Sequence, residues 1–283
     1  MPFPDIDPVA FTFGPFVIRW YALAYIGGFL GGWWICRKLI ENEHLWGDIK
    51  RPTSADVDDL MVAVPLGIVL GGRIGYVLFY QLPYYLENPV DIVRLWDGGM
   101  SFHGGLLGCA FALFILSYLR KLNPLTLVDI VCVSAPVGLF LGRIANFING
   151  ELWGRVAENF AFAVVFPDAG PYPRHPSQLY EAFSEGILLF LVMLWAVRRF
   201  GFIRPGLIAG IFGVGYGVAR IVCEFFRQPD VELGFLFGDT IAFLNGGITM
   251  GMLLSLPLIL LGTIVIILAA KGRTRKTPFF YSY

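Results

Sequence analysis

Seven times in 283 residues the chain returns to an apolar run long enough to cross a lipid bilayer, at about 16–38, 57–81, 103–120, 127–149, 179–198, 206–226 and 247–270. A spanning helix needs about 20 such residues. The pattern predicts an all-α polytopic membrane protein, one integral-membrane domain over 1–283 with seven transmembrane helices. Composition fits this class. Only 15% of residues are charged and 57% are hydrophobic, where a soluble domain carries about 25% charged residues. The formal net charge is zero, so bulk charge gives no attraction to nucleic acid.

The opening stretch MPFPDIDPVAFTFGP is acidic, carries prolines and has no basic segment. It does not read as a cleaved signal, and the first span itself is expected to direct insertion. Basic residues then orient the helices. Arg37, Lys38, Lys50, Arg51, Arg120, Lys121, Arg198, Arg199, Arg204, Lys271, Arg273, Arg275 and Lys276 flank one side, and Arg94, Arg155 and Arg174 the other. Thirteen against three places the N-terminus outside and the C-terminus in the cytoplasm.

Cys36, Cys109, Cys132 and Cys223 all fall in apolar helical stretches. None lies in an outer loop, so no disulfide framework is implied. His44, His103 and His175 have no metal-ligand spacing. No phosphate-binding glycine loop, nucleophile elbow or dinucleotide fingerprint is present, and no internal repeat.

Arginines within or at the edge of spans remain to be explained: Arg19, Arg73, Arg143, Arg220 and Arg227. The stretch GRIANFINGELWGR (142–155) places Arg143, Asn146, Asn149, Glu151 and Arg155 where a span should end. With the orientation above, Tyr21, Arg73, His103, Gln178, Glu181, Tyr216, Arg220 and Glu224 fall toward the same, outer leaflet. Tyr216, Arg220 and Glu224 are spaced i, i+4, i+8 on one helix face. Intramembrane charges usually face the bundle interior or a water-filled cavity. One arginine-rich cavity open to the outer leaflet accounts for the set, and the planar guanidinium suits a lipid phosphate. Each residue also has a plainer reading. Glu224 can neutralise Arg220, Arg227 can reach to the interface, Arg73 can pair with a neighbouring acid, Asn146 and Asn149 can bond between helices, and Gly104 and Gly105 can serve packing.

Two outer segments stand out. Residues 83–101, PYYLENPVDIVRLWDGGMS, are expected to form an amphipathic arm on the interface, with the tyrosines and Trp96 at headgroup level. Residues 150–177 are expected to form a small head over the cavity mouth.

At these positions the sequence resembles the prolipoprotein diacylglyceryl transferase family of bacterial inner membranes. The resemblance is carried by GRIANFINGELWG (142–154), LGGRIGYVLFY (70–80), WDGGMSFHGG (96–105), RHPSQLYE (174–181) and YGVARIVCEFFRQPD (216–230). It implies transfer of the diacylglyceryl group of phosphatidylglycerol to the lipobox cysteine of a preprolipoprotein signal peptide, giving a thioether and glycerol phosphate. It implies seven spans with the N-terminus outside, an inner-membrane location, and a periplasmic arm and head. It assigns Tyr21, His103, Arg143, Asn146, Glu151, Gly154, Tyr216, Arg220 and Glu224 to the site. Arg73 and Asn149 join the substrate-binding set from the residue reading.

The chemistry assigns roles. Breaking the C–O bond puts negative charge on a phosphate, which Arg143 and Arg220 are expected to stabilise. Asn146 and Tyr216 can donate without adding charge, and Glu151 and Glu224 are expected to orient the arginines. His103 is the expected base for the thiol. No metal, nucleotide or redox cofactor is required, and a monomer is expected. Two other classes stay open at this point. A transporter explains intramembrane charge, although such sites tend toward the midplane between repeats. A lipid-binding membrane protein without catalysis also fits.

Overall fold

The structure is a computed structural model, and it describes residues 1–4, 6–229, 234–236 and 247–274. Arg275 and Lys276 of the inner basic set, and Asp230 of the last motif, lie outside the described residues. The chain is mostly helical: α1 (Trp20–Glu41), α2 (Ser54–Phe79), α3 (Leu82–Glu87), α4 (Phe102–Arg120) and α5 (Pro124–Ile148). Next, α6 (Ser177–Glu181) runs through a π-helical segment, Ala182–Leu188, into α7 (Leu189–Phe200). Then come α8 (Leu207–Glu224) and α9 (Met250–Ala270).

Among the described residues, six helical stretches are long and apolar enough to cross a membrane: α2, α4, α5, the continuous Ser177–Phe200, α8 and α9. Helices suit lipid because they satisfy every backbone polar group internally. The expected first span, 16–38, differs. Its start belongs to a hairpin of β1 (Val9–Phe13) and β2 (Phe16–Arg19), and α1 begins only at Trp20. The cause is local. Aromatic and β-branched residues flank Gly14, which turns the chain at φ 58°. With its 22 residues α1 has the length of a span, but Trp20, Tyr21, Tyr25, Trp33, Trp34 and four glycines dilute its apolarity. The expectation of an all-α chain is corrected by this hairpin.

Glycines bring helices together in three pairs. In α2 and α4, Gly67 and Gly71 face Gly104 and Gly108 so closely that a Cβ at Gly108 would run into the Gly67 carbonyl oxygen. In α8 and α9, a Cβ at Gly210 would stand 2.7 Å from the Gly262 oxygen. In α1 and α5, a Cβ at Gly28 would stand 3.0 Å from the Gly138 Cα. Lipid supplies no hydrophobic drive between helices, so close van der Waals approach takes its place.

A second device fixes α8 against α5. Asp129 on α5 is fully buried, and its carboxylate accepts from the backbone N–H of Gly206 and of Ala209, both at 2.7 Å. An acidic group there complements the N-terminal end of α8 and satisfies donors no helical partner can reach. Fourteen residues beyond Asp129 lies Arg143, and eleven beyond Ala209 lies Arg220, advances of about 21 and 16 Å along their helices.

The arm consists of α3 and two short 3₁₀ turns, Pro89–Val93 and Leu95–Asp97. Arg73 holds it. Its guanidinium donates to the carbonyls of Ile92 (2.8 Å), Gly98 (2.5 Å), Gly99 (3.1 Å), Asp91 (2.6 Å) and Arg94 (3.1 Å), and lies over the Tyr85 ring. The head, 150–177, has no regular element and is tied by single bridges, Val156 and Val164 to Arg174 and Gly154 to Arg227. Its core is Phe166, fully buried, with Phe3 at 5.4 Å and Phe147 at 6.1 Å between ring centroids.

Candidate active site

Three arginines and three glutamates meet where α5, α6, the π segment and α8 converge. Arg143 on α5 lies 2.8 Å from Glu181 and 3.1 Å from Glu185. Arg220 on α8 lies 3.4 Å from Glu181, 3.6 Å from Glu185 and 2.5 Å from Glu224. Arg227, just past α8, lies 3.4 Å from Glu224 and 3.8 Å from Glu181. Glu181 and Glu185 are completely buried and Glu224 is 1% exposed.

Charges so deeply buried persist only when paired, because removing them from water costs more than a loose ion pair returns. The three guanidinium groups balance the three carboxylates. Glu181 and Glu185 stand four residues apart, and the helix turns into its π form between them. Such π turns occur frequently at functional sites. Here it is packed tightly: a Cβ at Gly186 would stand 2.6 Å from Phe140 Cβ on α5. Arg220 Nη1 is buried and makes no hydrogen bond, only the two ion pairs with Glu181 and Glu185. Tyr216, one turn before Arg220, stacks on Phe212 with ring centroids 6.0 Å apart.

A hydrogen-bonded layer borders this cluster. Asn146 is buried, and its Nδ2 donates to Tyr21 Oη (3.1 Å) and Glu151 Oε1 (2.8 Å). Glu151 was expected to orient an arginine; its carboxylate serves Asn146 instead. The loop carrying it turns through Gly150 and Leu152, both at positive φ (66° and 56°). Two side chains of the α6 start hold that turn: Ser177 Oγ donates to Leu152 O at 3.0 Å, and Gln178 Nε2 to Glu151 O at 2.5 Å. Asn149 closes α5, and its Oδ1 is buried without a donor.

Gly154 is required by close approach. Its N–H donates to His175 O at 2.9 Å, and a Cβ would stand 2.5 Å from that oxygen and 2.6 Å from Phe226 O. Arg155 joins the head to the end of α8 by donating to Glu224 O (3.0 Å) and Arg227 O (3.1 Å). Burial holds its guanidinium below the ordinary arginine range. His175 lies among Phe160, Tyr180 and Phe226, and burial likewise lowers its pKa.

Of the expected site residues, the structure brings Arg143, Arg220 and Glu224 into the ionic cluster with Tyr216 beside it, and joins Tyr21, Asn146 and Glu151 by hydrogen bonds, with Asn149 one turn further along at the end of α5. Gly154 supports the head. Arg73 stands apart, on α2 beneath the arm. His103, at the exposed start of α4, contacts the Phe102 ring at 5.7 Å and has no hydrogen bond or ion pair to the cluster. Glu185 is missed by sequence reasoning, and Glu181 is placed in the outer-leaflet set without a role. Two glutamates at i, i+4 in an apolar span were the available signal, since each demands a cationic partner.

The family model for prolipoprotein diacylglyceryl transferase matches residues 8–268. The chain is similar to proteins named phosphatidylglycerol–prolipoprotein diacylglyceryl transferase from Beijerinckia indica, 54% identical over 273 residues and 96% of both chains, and from Rhodopseudomonas palustris, 53% identical over 277 residues, 98% of this chain and 94% of that one. A protein of the same name from Rhizobium meliloti is 53% identical over 264 residues, 93% of this chain and 91% of that one. A polytopic membrane protein with this ionic cluster at its heart, the chain belongs to the prolipoprotein diacylglyceryl transferase family.

Proposed function

We propose that this protein transfers the diacylglyceryl group of phosphatidylglycerol to the lipobox cysteine of preprolipoproteins. The observation that carries the reading is more than 50% identity, over nearly the whole chain, to relatives named for that reaction. The cysteine sulfur attacks the glyceryl carbon and an S–C bond forms. The C–O bond to phosphate breaks, its electron pair stays on oxygen, and glycerol phosphate leaves. The thiol proton passes to a base.

Arg143 and Arg220 stabilise the charge growing on the leaving phosphate. Arg220 Nη1, held only by the two longer ion pairs to Glu181 and Glu185, supports this role. Glu181, Glu185 and Glu224 hold the two guanidinium groups in fixed orientation, so little reorganisation accompanies reaction. Tyr21 and Tyr216 donate to the lipid phosphate without adding charge; Asn146, held by Glu151, donates to Tyr21 Oη and so turns the Tyr21 hydroxyl proton outward. Gly154 and Arg73 shape the head and the arm. His103 takes the thiol proton. Its exposed position on the α2–α4 pair requires the thiol, or that pair, to close the remaining distance.

In this reading α1 is a seventh span, the N-terminus, arm and head are periplasmic, and the enzyme works as a monomer in the bacterial inner membrane. The test is incubation of purified protein with phosphatidylglycerol and a lipobox peptide, read by mass spectrometry. A diacylglyceryl mass increment with release of glycerol phosphate supports the reading. Lipid translocation without a covalent product would make the protein a transporter, and lipid binding with no mass change a binding protein.

A further inference from the structure

Among the described residues, two amide oxygens near the ionic cluster lack donors. Gln178 is completely buried. Its Nε2 donates to Glu151 O at 2.5 Å, so its Oε1 must face away from that carbonyl, and this oxygen is buried with no partner. Asn149 Oδ1 is buried and unpartnered as well. Buried polar groups are nearly always bonded, and each exception calls for an explanation. Here there are two, of the same kind, both neutral acceptors.

Their placement is informative. Gln178 lies three residues before Glu181 on α6, and Asn149 three residues after Asn146 at the end of α5. These helices run in opposite directions in the proposed topology. Gln178 therefore lies about 5 Å outward of Glu181, and Asn149 about 5 Å outward of Asn146 and about 9 Å outward of Arg143. The main chain of Glu151 links them, following Asn149 by two residues and accepting from Gln178.

We propose that Gln178 and Asn149 recognise the glycerol headgroup of the donor lipid and set headgroup specificity, an inference that rests on the transferase reading above. With the phosphodiester at Arg143 and Arg220, the headgroup extends outward over the one to two helical turns that the amides occupy. Phosphatidylglycerol carries two hydroxyl donors there, matching two acceptors. The amides are uncharged, so they hold hydroxyls without competing for the arginines. A headgroup of equal length without hydroxyls leaves both oxygens desolvated and unpaired, and sites built to bond a substrate hydroxyl discriminate strongly against analogues that lack it.

The experiment compares kcat/KM for phosphatidylglycerol and phosphatidylpropanol, the same phosphodiester without headgroup hydroxyls, as donors to a lipobox peptide. Wild type is expected to prefer phosphatidylglycerol by about 10²-fold or more. Gln178→Met and Asn149→Leu are each expected to shrink that ratio by about 10-fold, mainly through loss with phosphatidylglycerol. A merely structural role lowers both rates and leaves the ratio alone, and that result overturns the proposal. A wild type with no preference also overturns it. A wild type that forms no thioether with either lipid sinks the transferase reading itself. Should neither variant accumulate, inhibition of wild type decides: glycerol phosphate is expected to inhibit at much lower concentration than propyl phosphate, and equal inhibition refutes the assignment.

Discussion

Arg143 and Arg220, carried by different helices, share the same two carboxylates: each lies within 3.6 Å of both Glu181 and Glu185. Neither arginine can turn without disturbing the other's partners. Their forks are thereby fixed relative to one another, which preorganised stabilisation of a leaving phosphate requires.

Arg143→Lys and Arg220→Lys keep the charge and lose the fork. Each is expected to reduce the rate of thioether formation by about 10²-fold or more. Arg198→Lys, in the exposed last turn of α7, should leave the rate near wild type. Normal turnover in both cluster variants would remove these residues from the phosphate clamp.

His103→Gln keeps hydrogen bonding but accepts no proton usefully at neutral pH. If His103 is the base, the variant loses about 10²- to 10⁴-fold at pH 7 and recovers in part as pH rises toward 9, where a free thiol of pKa about 8.5 ionises unaided. A near-normal rate at pH 7 excludes an essential base. A variant that is folded, binds lipid and is inactive at every pH indicates positioning.

The orientation is open to labelling. Asp168→Cys in the head should react with a membrane-impermeant thiol reagent from the outside, and Lys50→Cys only after the inner face is exposed. The opposite pattern reverses the topology.

Close packing of α2 on α4 predicts a contrast between two glycines. Gly108→Ala pushes a methyl into the Gly67 carbonyl and should destabilise the protein by about 1–3 kcal/mol, through overpacking. Gly138→Ala adds a methyl with no neighbour within 4 Å and should be near neutral or slightly stabilising. Thermal melting in detergent measures both.

His175 makes the head sensitive to acid. Burial lowers its pKa, so the folded protein favours neutral imidazole. That contribution is fully present above the ordinary value of about 6.5 and is lost as pH falls through it toward the lowered folded value. Between pH 7.5 and 5.5 the melting point of wild type should therefore fall further than that of His175→Phe, whose ring suits the surrounding Phe160, Tyr180 and Phe226. Equal falls would show that His175 contributes nothing to the pH dependence.

The helices were legible in the sequence because lipid makes long apolar runs unambiguous. The hairpin at 9–19 was read partly as membrane span, because aromatic and β-branched residues raise apolarity in strands and helices alike. Arg143, Arg220 and Glu224 were legible as charges misplaced in an apolar context. Glu185 escaped because its partners come from helices distant in sequence, and the π turn that sets its direction has no compositional mark. The role of Arg73 escaped for a related reason. Its partners are backbone carbonyls of the arm, which every residue carries, so no residue type announces them.

The shared carboxylates also impose an order on the making of the protein. Arg143 emerges first, then Glu181 and Glu185, then Arg220 and Glu224. A nascent chain halted after α7 would hold two buried carboxylates against a single arginine. Only the arrival of α8, which adds Arg220 and Glu224, and of Arg227 just past it balances them. Until then the growing protein carries polar side chains that resist release into lipid, so closing the ionic cluster and integrating α5 to α8 become one event.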